Sequence, residues 1–294
     1  DWRLYDIKIG NTLIEIQEEM KYLGVIIDNQ LTFKSHVKYI NEKALKVINR
    51  LYFVFRNKYG YGNKTRKIMA EGCVVTLYQY AAGIYYASLQ LKQTRGSIEK
   101  IQRRLYVRVA RSYKTVQFLP SCILANIPPI PLVIEKTAIV NQMKRKEVGK
   151  FIQLRPPTRI LYNRKEMLEY LEEEIYSSWQ LKWELATGEE IEWMKKLIPE
   201  VPRDRNEILP QNFYLIQAIS ERGCFGSYLS KIGKRQTTSC RCNTDVENST
   251  HVFEVCPLYA EGRPAKLDIN KKETRGYLIV TMMKLWKEEK EDSV

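Results

Sequence analysis

From residue 37 onward, apolar side chains recur mostly at intervals of three or four residues, which is typical of helices with one face in a core. Three such stripes comprise Val37, Ile40, Ala44, Val47, Leu51 and Val54; then Ile68, Cys73, Leu77, Ala81 and Ile84; then Ile98, Ile101, Leu105 and Val109. Further helices are predicted from 131 to 154, through Leu168, Leu171, Ile175, Trp179 and Trp183, and from Leu278 to Trp286. The sequence therefore predicts a mainly α protein.

The N-terminal stretch follows a different pattern. Apolar residues in 4–9 and 13–16 flank Gly10-Asn11, which predicts a β-hairpin with a tight turn. The run Tyr22–Asp28 predicts one further buried strand that ends at a turn. We therefore expect a short β region ahead of the helices.

Prolines mark the candidate boundaries between segments. No helix can cross the Pro128-Pro129-Ile130-Pro131 joint intact, and Arg155-Pro156-Pro157-Thr158 is the best candidate domain boundary. The interpretation divides the chain into segments 1–30, 31–155, 156–235, 236–260 and 261–294. No apolar run reaches the roughly 18 residues of a membrane span, so no membrane partner is expected.

Positive charge is concentrated in one part of the chain. Residues 34–114 hold 18 Lys or Arg against Glu42, Glu71 and Glu99, a net of +15, whereas the whole chain carries +14. A localised excess of this size indicates a polyanionic partner, and nucleic acid is the obvious one. The alternative is a solvated helical surface without a partner.

Within the basic segment, Lys100, Arg104, Arg108 and Arg111 recur at helical spacing, which predicts a ridge able to follow a phosphate backbone. The full set of candidate nucleic-acid contacts is Lys64, Arg66, Lys67, Lys100, Arg103, Arg104, Arg108, Arg111 and Lys114. Interleaved tyrosines and phenylalanines could stack on bases, although packing in the core is the more common role of such residues.

Four potential metal ligands lie close together near the end of the sequence. Cys240, Cys242, His251 and Cys256 form the pattern C-x-C-x8-H-x4-C, which offers three thiolates and one imidazole, a complete tetrahedral set for structural zinc. His251 and Cys256 would lie about 140° apart on an ideal helix, so a bend before Pro257 is needed to bring them together. The alternative is a group of buried thiols without a metal.

The other thiols and the second histidine suggest no further chemistry. The six cysteines have no framework spacing, which favours reduced thiols in the nucleus or the cytoplasm. Cys73 and Cys122 are expected to be core thiols, and Cys224 is a poor fifth ligand candidate. His36 is expected to pack or to contact phosphate.

Several stretches, taken in order, resemble the C-terminal part of the reverse transcriptases of non-LTR (LINE-type) retrotransposons, in particular the insect type-1 elements of ribosomal DNA. The matching stretches are Lys21–Asp28 with Leu31, Phe33 and His36-Val37; Gly60-Tyr61-Gly62; Gln102-Arg103-Arg104; Arg111–Thr115; Ile127–Leu132; and Arg222-Gly223-Cys224-Phe225 with Tyr228-Leu229 and Gly233. Each motif alone is weak, but the collinear set runs from about residue 20 to 257.

This resemblance implies a specific architecture. The N-terminal strands resemble the end of a polymerase palm, the basic helices resemble a thumb that grips template and primer, and the tail resembles a zinc knuckle. The family's catalytic aspartates would lie upstream of Asp1, and Mg²⁺ is expected only at that missing polymerase site. This sequence has no adjacent pair of aspartates, so we expect the chain to be inactive in polymerisation by itself.

The resemblance therefore implies a nucleic-acid-binding portion of an RNA-directed DNA polymerase. Its expected partners are element RNA, target DNA and the remainder of the polymerase upstream, and the absence of an initiator Met fits a chain that starts partway through a longer protein. Two alternatives stay open. One is a domesticated host protein that binds RNA or DNA, and the other is an inert relic of an inactivated element.

Overall fold

Two antiparallel hairpins precede twelve α-helical segments in the computed structural model, which describes residues 7–10, 12–14, 17–56, 61–144, 164–203 and 212–291. The strands are β1 (Ile7–Ile9), β2 (Thr12–Ile14), β3 (Glu19–Tyr22) and β4 (Val25–Asp28). The helices are α1 (Lys34–Arg56), α2 (Asn63–Ala70), α3 (Thr76–Gln79), α4 (Ala82–Tyr85), α5 (Lys92–Val109), α6 (Phe118–Ala125), α7 (Ile130–Lys144), α8 (Arg164–Leu185), α9 (Glu189–Leu197), α10 (Phe213–Ser220), α11 (Gly226–Lys231) and α12 (Lys272–Glu291). The predicted mainly α class is confirmed.

The first hairpin is the predicted one, since β1 pairs with β2 across the turn that contains Gly10. The single strand predicted over Tyr22–Asp28 is wrong. Leu23 and Gly24 adopt φ of 45° and 83° and form a two-residue turn, so β3 and β4 pair as a second hairpin. Two successive residues at positive φ match the right-handed twist of paired strands.

Asp28 connects this hairpin to the first helix. Its carboxylate accepts hydrogen bonds from the backbone N–H groups of Thr32 at 2.9 Å, Phe33 at 2.6 Å and Gln30 at 3.2 Å. Partial burial raises the pKa of Asp28, but these donors outweigh it and the net pKa is lowered. The carboxylate therefore fixes the loop from which α1 starts.

Packing between α1 and α5 forms the centre of the basic segment. The predicted stripe on α1 is inward, with Val37, Ile40 and Ala44 buried, and Ile98 and Leu105 of α5 are fully buried. A hydrogen bond from Asn41 Nδ2 to Ser97 Oγ of 3.1 Å joins the two helices. The apolar periodicity thus predicted both helices and the face that each buries.

The second predicted stripe is wrong, because the chain is not a regular helix there. A π-helical turn over Glu71–Val75 follows α2, and Ala81 adopts a left-handed φ of 55° between α3 and α4. The extra residue in a π turn rotates the following side chains around the axis. Cys73 and Ile84 are consequently exposed, as is Ile68 ahead of the turn, whereas the buried side chains are Ala70, Val74, Val75, Tyr78, Ala82 and Tyr85.

The predicted apolar stripe of α8 is confirmed, with Leu171, Ile175, Trp179 and Trp183 buried. One hydrophobic cluster contains side chains from β4 through to α12, including both Val25 and Leu285. The part of the predicted helix beyond residue 144 and the proline-rich boundary at 155–158 lie outside the described residues.

Among the described helices, none is by itself long and apolar enough to span a membrane. Only α6 taken together with the Ile130–Gln142 part of α7 meets the length and composition criteria, and the two are bent by 69°. Most of the apolar side chains of α6 are buried in the core described above.

Candidate metal centre and basic face

A tight loop positions the first two candidate ligands. Cys240 N–H donates to the Asp245 carbonyl at 2.8 Å, and Asn243 N–H donates to the Cys240 carbonyl at 2.9 Å. Asn243 adopts a left-handed φ of 60°, a conformation that asparagine tolerates better than most residues. This reversal places Cys240 and Cys242 on the same side of the loop.

A π-helical turn positions the other two ligands. His251–Val255 forms this turn, and Cys256 N–H donates to the His251 carbonyl at 2.7 Å. The wider i→i+5 turn, followed by an extended Cys256 with ψ of 126°, brings two side chains together that an α-helix would separate. The bend expected before Pro257 is therefore present. Asn248 Oδ1 accepts from His251 N–H at 2.8 Å and fixes the start of the turn.

The four ligand atoms converge in a geometry that fits a tetrahedral ion. All of them lie within 4.8 Å of one another, with Cys240 Sγ 3.7 Å from Cys256 Sγ and Cys242 Sγ 3.1 Å from His251 Nε2. Zn–S bonds of about 2.3 Å at tetrahedral angles place two sulfurs about 3.8 Å apart. We name residues 239–259 the knuckle; its Cys3His cluster could hold a metal.

The thiols of the cluster differ in acidity. Burial raises the pKa of Cys240 to about 12 and also raises the pKa of Cys256. The Thr244 hydroxyl, 3.0 Å from Cys242 Sγ, is the main cause that lowers the pKa of Cys242 to about 6. Burial thus favours the protonated form of the Cys240 and Cys256 thiols, whereas metal ligation requires thiolates, so metal binding at this cluster would release protons.

The imidazole also has a partner beyond the cluster. His251 is buried, and its Nδ1 has no hydrogen-bond partner among the described residues, but Asp245 Oδ2 lies 4.0 Å away. A carboxylate near the second ring nitrogen is the usual orienting partner of a metal-bound histidine. Cys224 is buried outside the cluster, so it is not a ligand.

Two buried carboxylates attach the knuckle to the helices around it. Glu247 accepts from Gly226 N–H at 3.0 Å and from Arg235 Nη1 at 2.8 Å. Glu221 accepts from both the N–H and the hydroxyl of Ser249 at 3.1 and 2.8 Å. Both glutamates are buried, so these contacts fix the knuckle firmly.

Arg222 joins the knuckle region to the loop that follows α5. Its Nε donates to Thr115 Oγ1 at 3.1 Å, its guanidinium pairs with Glu190, and it lies 5.0 Å from the Tyr228 ring centroid. Two stretches of the family resemblance, 111–115 and 222–225, therefore contact one another. The sequence offered no signal for the role of Glu190.

The predicted basic residues fall into two groups, one exposed to solvent and one hydrogen-bonded or buried within the fold. Lys64, Lys100, Arg104, Arg111 and Lys114 are exposed. Arg108 is half-buried and lies 5.0 Å from the Tyr52 ring centroid, while Arg111 follows the end of α5 in a left-handed conformation with φ of 52°. The ridge along α5 thus comprises Lys100, Arg104 and Arg108.

Three predicted contacts serve the fold instead of facing solvent. Arg66 is 2% exposed, and its guanidinium donates to the carbonyls of Val109 at 3.0 Å and Tyr61 at 2.5 Å. Lys67 is 4% exposed. Arg103 donates to the carbonyls of Val116 at 2.6 Å and Lys114 and so holds the loop after α5. The N–H groups of both arginines already donate to backbone carbonyls and Lys67 is buried, so these side chains have little capacity to bind a phosphate.

Sequence reasoning passed over Lys34 and Lys38 on α1, which are exposed beside the ridge. The sequence could not indicate that these two lysines join the ridge, because that depends on the packing of α1 against α5 in the structure. We define the basic face as Lys34 and Lys38 of α1 together with Lys100, Arg104 and Arg108 of α5.

Comparison with known proteins finds relatives over most of the chain. A "Retrovirus-related Pol polyprotein from type-1 retrotransposable element R1 4" of Nasonia vitripennis is 23% identical over 261 residues, which cover 87% of this chain and 65% of the relative. The corresponding R1 Pol polyprotein of Bradysia coprophila is 23% identical over 266 residues, covering 87% of this chain and 26% of the relative. A "Putative 115 kDa protein in type-1 retrotransposable element R1DM" of Drosophila melanogaster is 22% identical over 247 residues, covering 83% and 24%.

No family model and no solved structure matches the chain. The chain spans less than two thirds of the length of each of these three relatives. More than four fifths of the chain is nevertheless covered by the similarity in each case. The predicted resemblance is confirmed, and the chain is a homologue of the Pol polyproteins of non-LTR type-1 retrotransposable elements.

Proposed function

We propose that this chain is the nucleic-acid-binding C-terminal portion of a retrotransposon reverse transcriptase, and that it grips template, primer or target DNA without itself catalysing nucleotide transfer. The observation that carries the proposal is the basic face, in which two packed helices contribute four exposed basic side chains and the half-buried Arg108. Positive side chains on a rigid surface neutralise phosphates and gain free energy by releasing condensed counterions.

The rigidity of the basic face supports a binding role. α1 and α5 pack through fully buried side chains, and Arg108 is placed against Tyr52 of α1. Charges on such a frame lose little conformational entropy when a ligand binds. A solvated helix face without a function has no need to place charges of one sign on two adjoining helices.

We propose binding without catalysis because the described carboxylates do not form a two-metal site. The Asp28 carboxylate accepts three backbone hydrogen bonds at the start of α1. Asp245 lies beside the knuckle histidine, and the Asp268 carboxylate accepts from Asn270 N–H at 3.0 Å. Nucleotidyl transfer requires carboxylates that converge on two ions, which we expect only in the polymerase upstream.

We propose that the Cys3His cluster holds one structural zinc ion. Three sulfurs and one imidazole nitrogen are the ligands of many structural zinc sites, and the 3.7 Å separation of Cys240 and Cys256 sulfurs fits the required bond lengths. Zinc would hold the loop of Cys240–Cys242 against the π-helical turn. The knuckle could then present a rigid loop to RNA or DNA.

Binding measured across a range of salt concentrations tests the nucleic-acid proposal. The chain should bind structured RNA and duplex DNA with a steep negative salt dependence, roughly −0.9 per neutralised phosphate on the duplex. The double variant Lys100→Ala/Arg104→Ala should weaken binding to all sequences alike and flatten the slope by about two units. Weak, salt-insensitive binding of the unaltered chain would overturn the proposal.

A control with the same charge change separates this face from general electrostatics. Lys165 and Lys287 are exposed on α8 and α12, away from the basic face. The variant Lys165→Ala/Lys287→Ala removes two positive charges as well, and it should keep most of the salt dependence. Equal losses in both double variants would mean that the overall charge binds, and not this face.

A further inference from the structure

A groove opens between the N-terminal halves of α1 and α5, directly beside the charged ridge. It has a volume of about 380 Å³, which lies in the size range of sites for nucleotide-sized molecules. Its lining residues are Lys34, Ser35, Val37, Lys38, Asn41, Glu42 and Leu45 of α1 and Gln93, Thr94, Ser97 and Ile101 of α5. Apolar side chains therefore lie beside amides, hydroxyls, two lysines and the exposed Glu42 carboxylate.

The floor of the groove is held in place by hydrogen bonds. Asn41 donates to Ser97 Oγ at 3.1 Å and accepts from the Tyr78 hydroxyl at 2.8 Å. Ser97 in turn donates to the Thr94 carbonyl at 2.7 Å. The groove is consequently part of the fixed helix packing.

The groove and the ridge lie along one line. With 3.6 residues per turn, Gln93 and Ser97 share one face of α5 with Lys100, Arg104 and Arg108, and Lys34 and Lys38 share one face of α1 with Tyr52. The contacts between Asn41 and Ser97 and between Tyr52 and Arg108 show that the two helices run in parallel. The resulting seam from Lys34 to Tyr52 is about 27 Å long at 1.5 Å per residue.

We infer that this groove is a subsite for an unpaired nucleotide, with the base between α1 and α5 and the phosphates on the adjoining lysines and arginines. Leu45 and Ile101, both half-buried, offer an apolar surface to the base, while Lys38 and Lys100 carry charge opposite to that of the strand. A paired base inside a duplex cannot enter a groove between two helices, whereas an unstacked base can.

This inference rests on the proposed function and makes it more specific, because the seam would favour a strand with unpaired residues over a blunt duplex. The ligand is defined by its chemistry as a single-stranded RNA or DNA segment that continues from a duplex. None of the contacts described above distinguishes ribose from deoxyribose. Parallel measurements with RNA and DNA overhangs distinguish the two sources.

The test compares a blunt duplex with the same duplex that carries a four-nucleotide single-stranded overhang, each at one fixed salt concentration. The full chain should bind the overhang form more tightly by about fivefold or more, because removing roughly 40 Å² of apolar surface from water contributes on that scale. Gln93→Glu places a negative charge on the groove without changing side-chain size, and it should remove most of this gain. Ser97→Leu should do the same by filling the floor.

Gln90→Glu is the matched control, since Gln90 is exposed just before α5 and does not line the groove. It should retain the gain from the overhang. The inference would be overturned if Gln90→Glu and Gln93→Glu lost the affinity gain equally. It would also be overturned if the unaltered chain bound the blunt duplex and the overhang duplex equally. Salt-dependent binding of the blunt duplex in that case would leave the proposed function standing, whereas its absence would remove both.

Discussion

Among the described glycines, Gly223 leaves the least room for an added side chain. Its φ is +107°, and a Cβ atom there would lie 1.8 Å from Oε1 of Gln217, which is itself buried. Gly223→Ala should therefore lower the free energy of unfolding by about 1–3 kcal/mol from backbone strain, with any displacement of Gln217 added to it. Urea denaturation followed by tryptophan fluorescence measures the change.

Gly96→Ala is the control for this substitution. Gly96 lies inside α5, and a Cβ added there meets no atom within 4 Å. Alanine in a helix interior is favoured over glycine by about 0.5–1 kcal/mol, so this variant should be slightly more stable than the parent. Equal destabilisation of both variants would contradict the role assigned to Gly223.

His36 makes stability depend on pH. Burial, and then the charge of Lys43, lower the pKa of His36 to about 4, and its Nδ1 accepts from Ile26 N–H at 3.3 Å. The unfolded state binds the proton near pH 6.5 and the folded state only near pH 4, so the stabilisation is complete above pH 6.5 and decreases as the pH falls towards 4.

Denaturation at pH 7.5 and pH 5 measures this effect. The difference in unfolding free energy between the two pH values should be smaller in His36→Gln than in the parent, because glutamine does not titrate. His251 is present in both proteins, so its contribution cancels in the comparison. An unchanged pH dependence in the variant would show that His36 is not the responsible group.

Residue identity alone could not predict which basic side chains face solvent. Arg66 and Arg104 carry the same charge within the same basic segment, yet Arg66 is buried against backbone carbonyls and Arg104 is exposed. The difference follows from the packing of α2 against the end of α5, where the Val109 carbonyl accepts from Arg66. The charge excess predicted the presence of a basic surface, but not its members.

At the scale of elements, the knuckle combines two unusual backbone segments. The ligand spacing could be read from the sequence, because the residue types and their separation fit zinc. The π-helical turn could not be predicted from the sequence, since it depends on the hydrogen bond between Cys256 N–H and the His251 carbonyl. Strand prediction failed similarly at Leu23 and Gly24, where positive φ at both residues turned one strand into two.

Metal analysis tests the knuckle directly. The purified chain should contain close to one zinc per molecule by mass spectrometry of the metal, and cobalt substitution should give the absorption of a tetrahedral thiolate site. Cys256→Ser should lower both the metal content and the stability, because the binding free energy of a structural zinc ion contributes to folding.

Cys73→Ser serves as the matched control, since Cys73 is an exposed thiol outside the cluster. It should keep the metal content of the parent. A native-like chain that is free of metal, or equal loss of metal in both variants, would favour buried thiols without an ion.

For the whole molecule, Arg222 connects the knuckle region to the helices of the basic segment. Arg222→Lys keeps the charge but loses the planar fork that reaches both Thr115 and Glu190. The free energy of unfolding should fall by about 1–3 kcal/mol, because the half-buried Glu190 carboxylate loses part of its hydrogen bonding. Chemical denaturation measures the loss.

Arg104→Lys makes the same chemical change at an exposed position on α5. Its stability should stay within about 0.5 kcal/mol of the parent, as is usual for surface substitutions. A stability loss at position 104 equal to that at 222 would mean that the connection through Arg222 contributes nothing particular.

The collinear motifs predicted the relationship to type-1 retrotransposon Pol polyproteins, and periodicity predicted the mainly α class. Neither could predict that 111–115 and 222–225 meet, because that contact joins residues 107 apart in sequence. The hydrophobic cluster likewise contains side chains from both ends of the described chain. Long-range pairing of this kind depends on tertiary packing, which a one-dimensional pattern does not contain.

The last helix has a consequence for translation. α12 supplies Glu288, which accepts from the Tyr259 hydroxyl at 2.6 Å and pairs with Arg241, and Glu289, which lies 3.6 Å from Arg235. These partners flank the metal ligands on both sides. A nonsense codon before α12 would therefore leave all four ligand codons intact while the ribosome releases a chain whose knuckle lacks its supports.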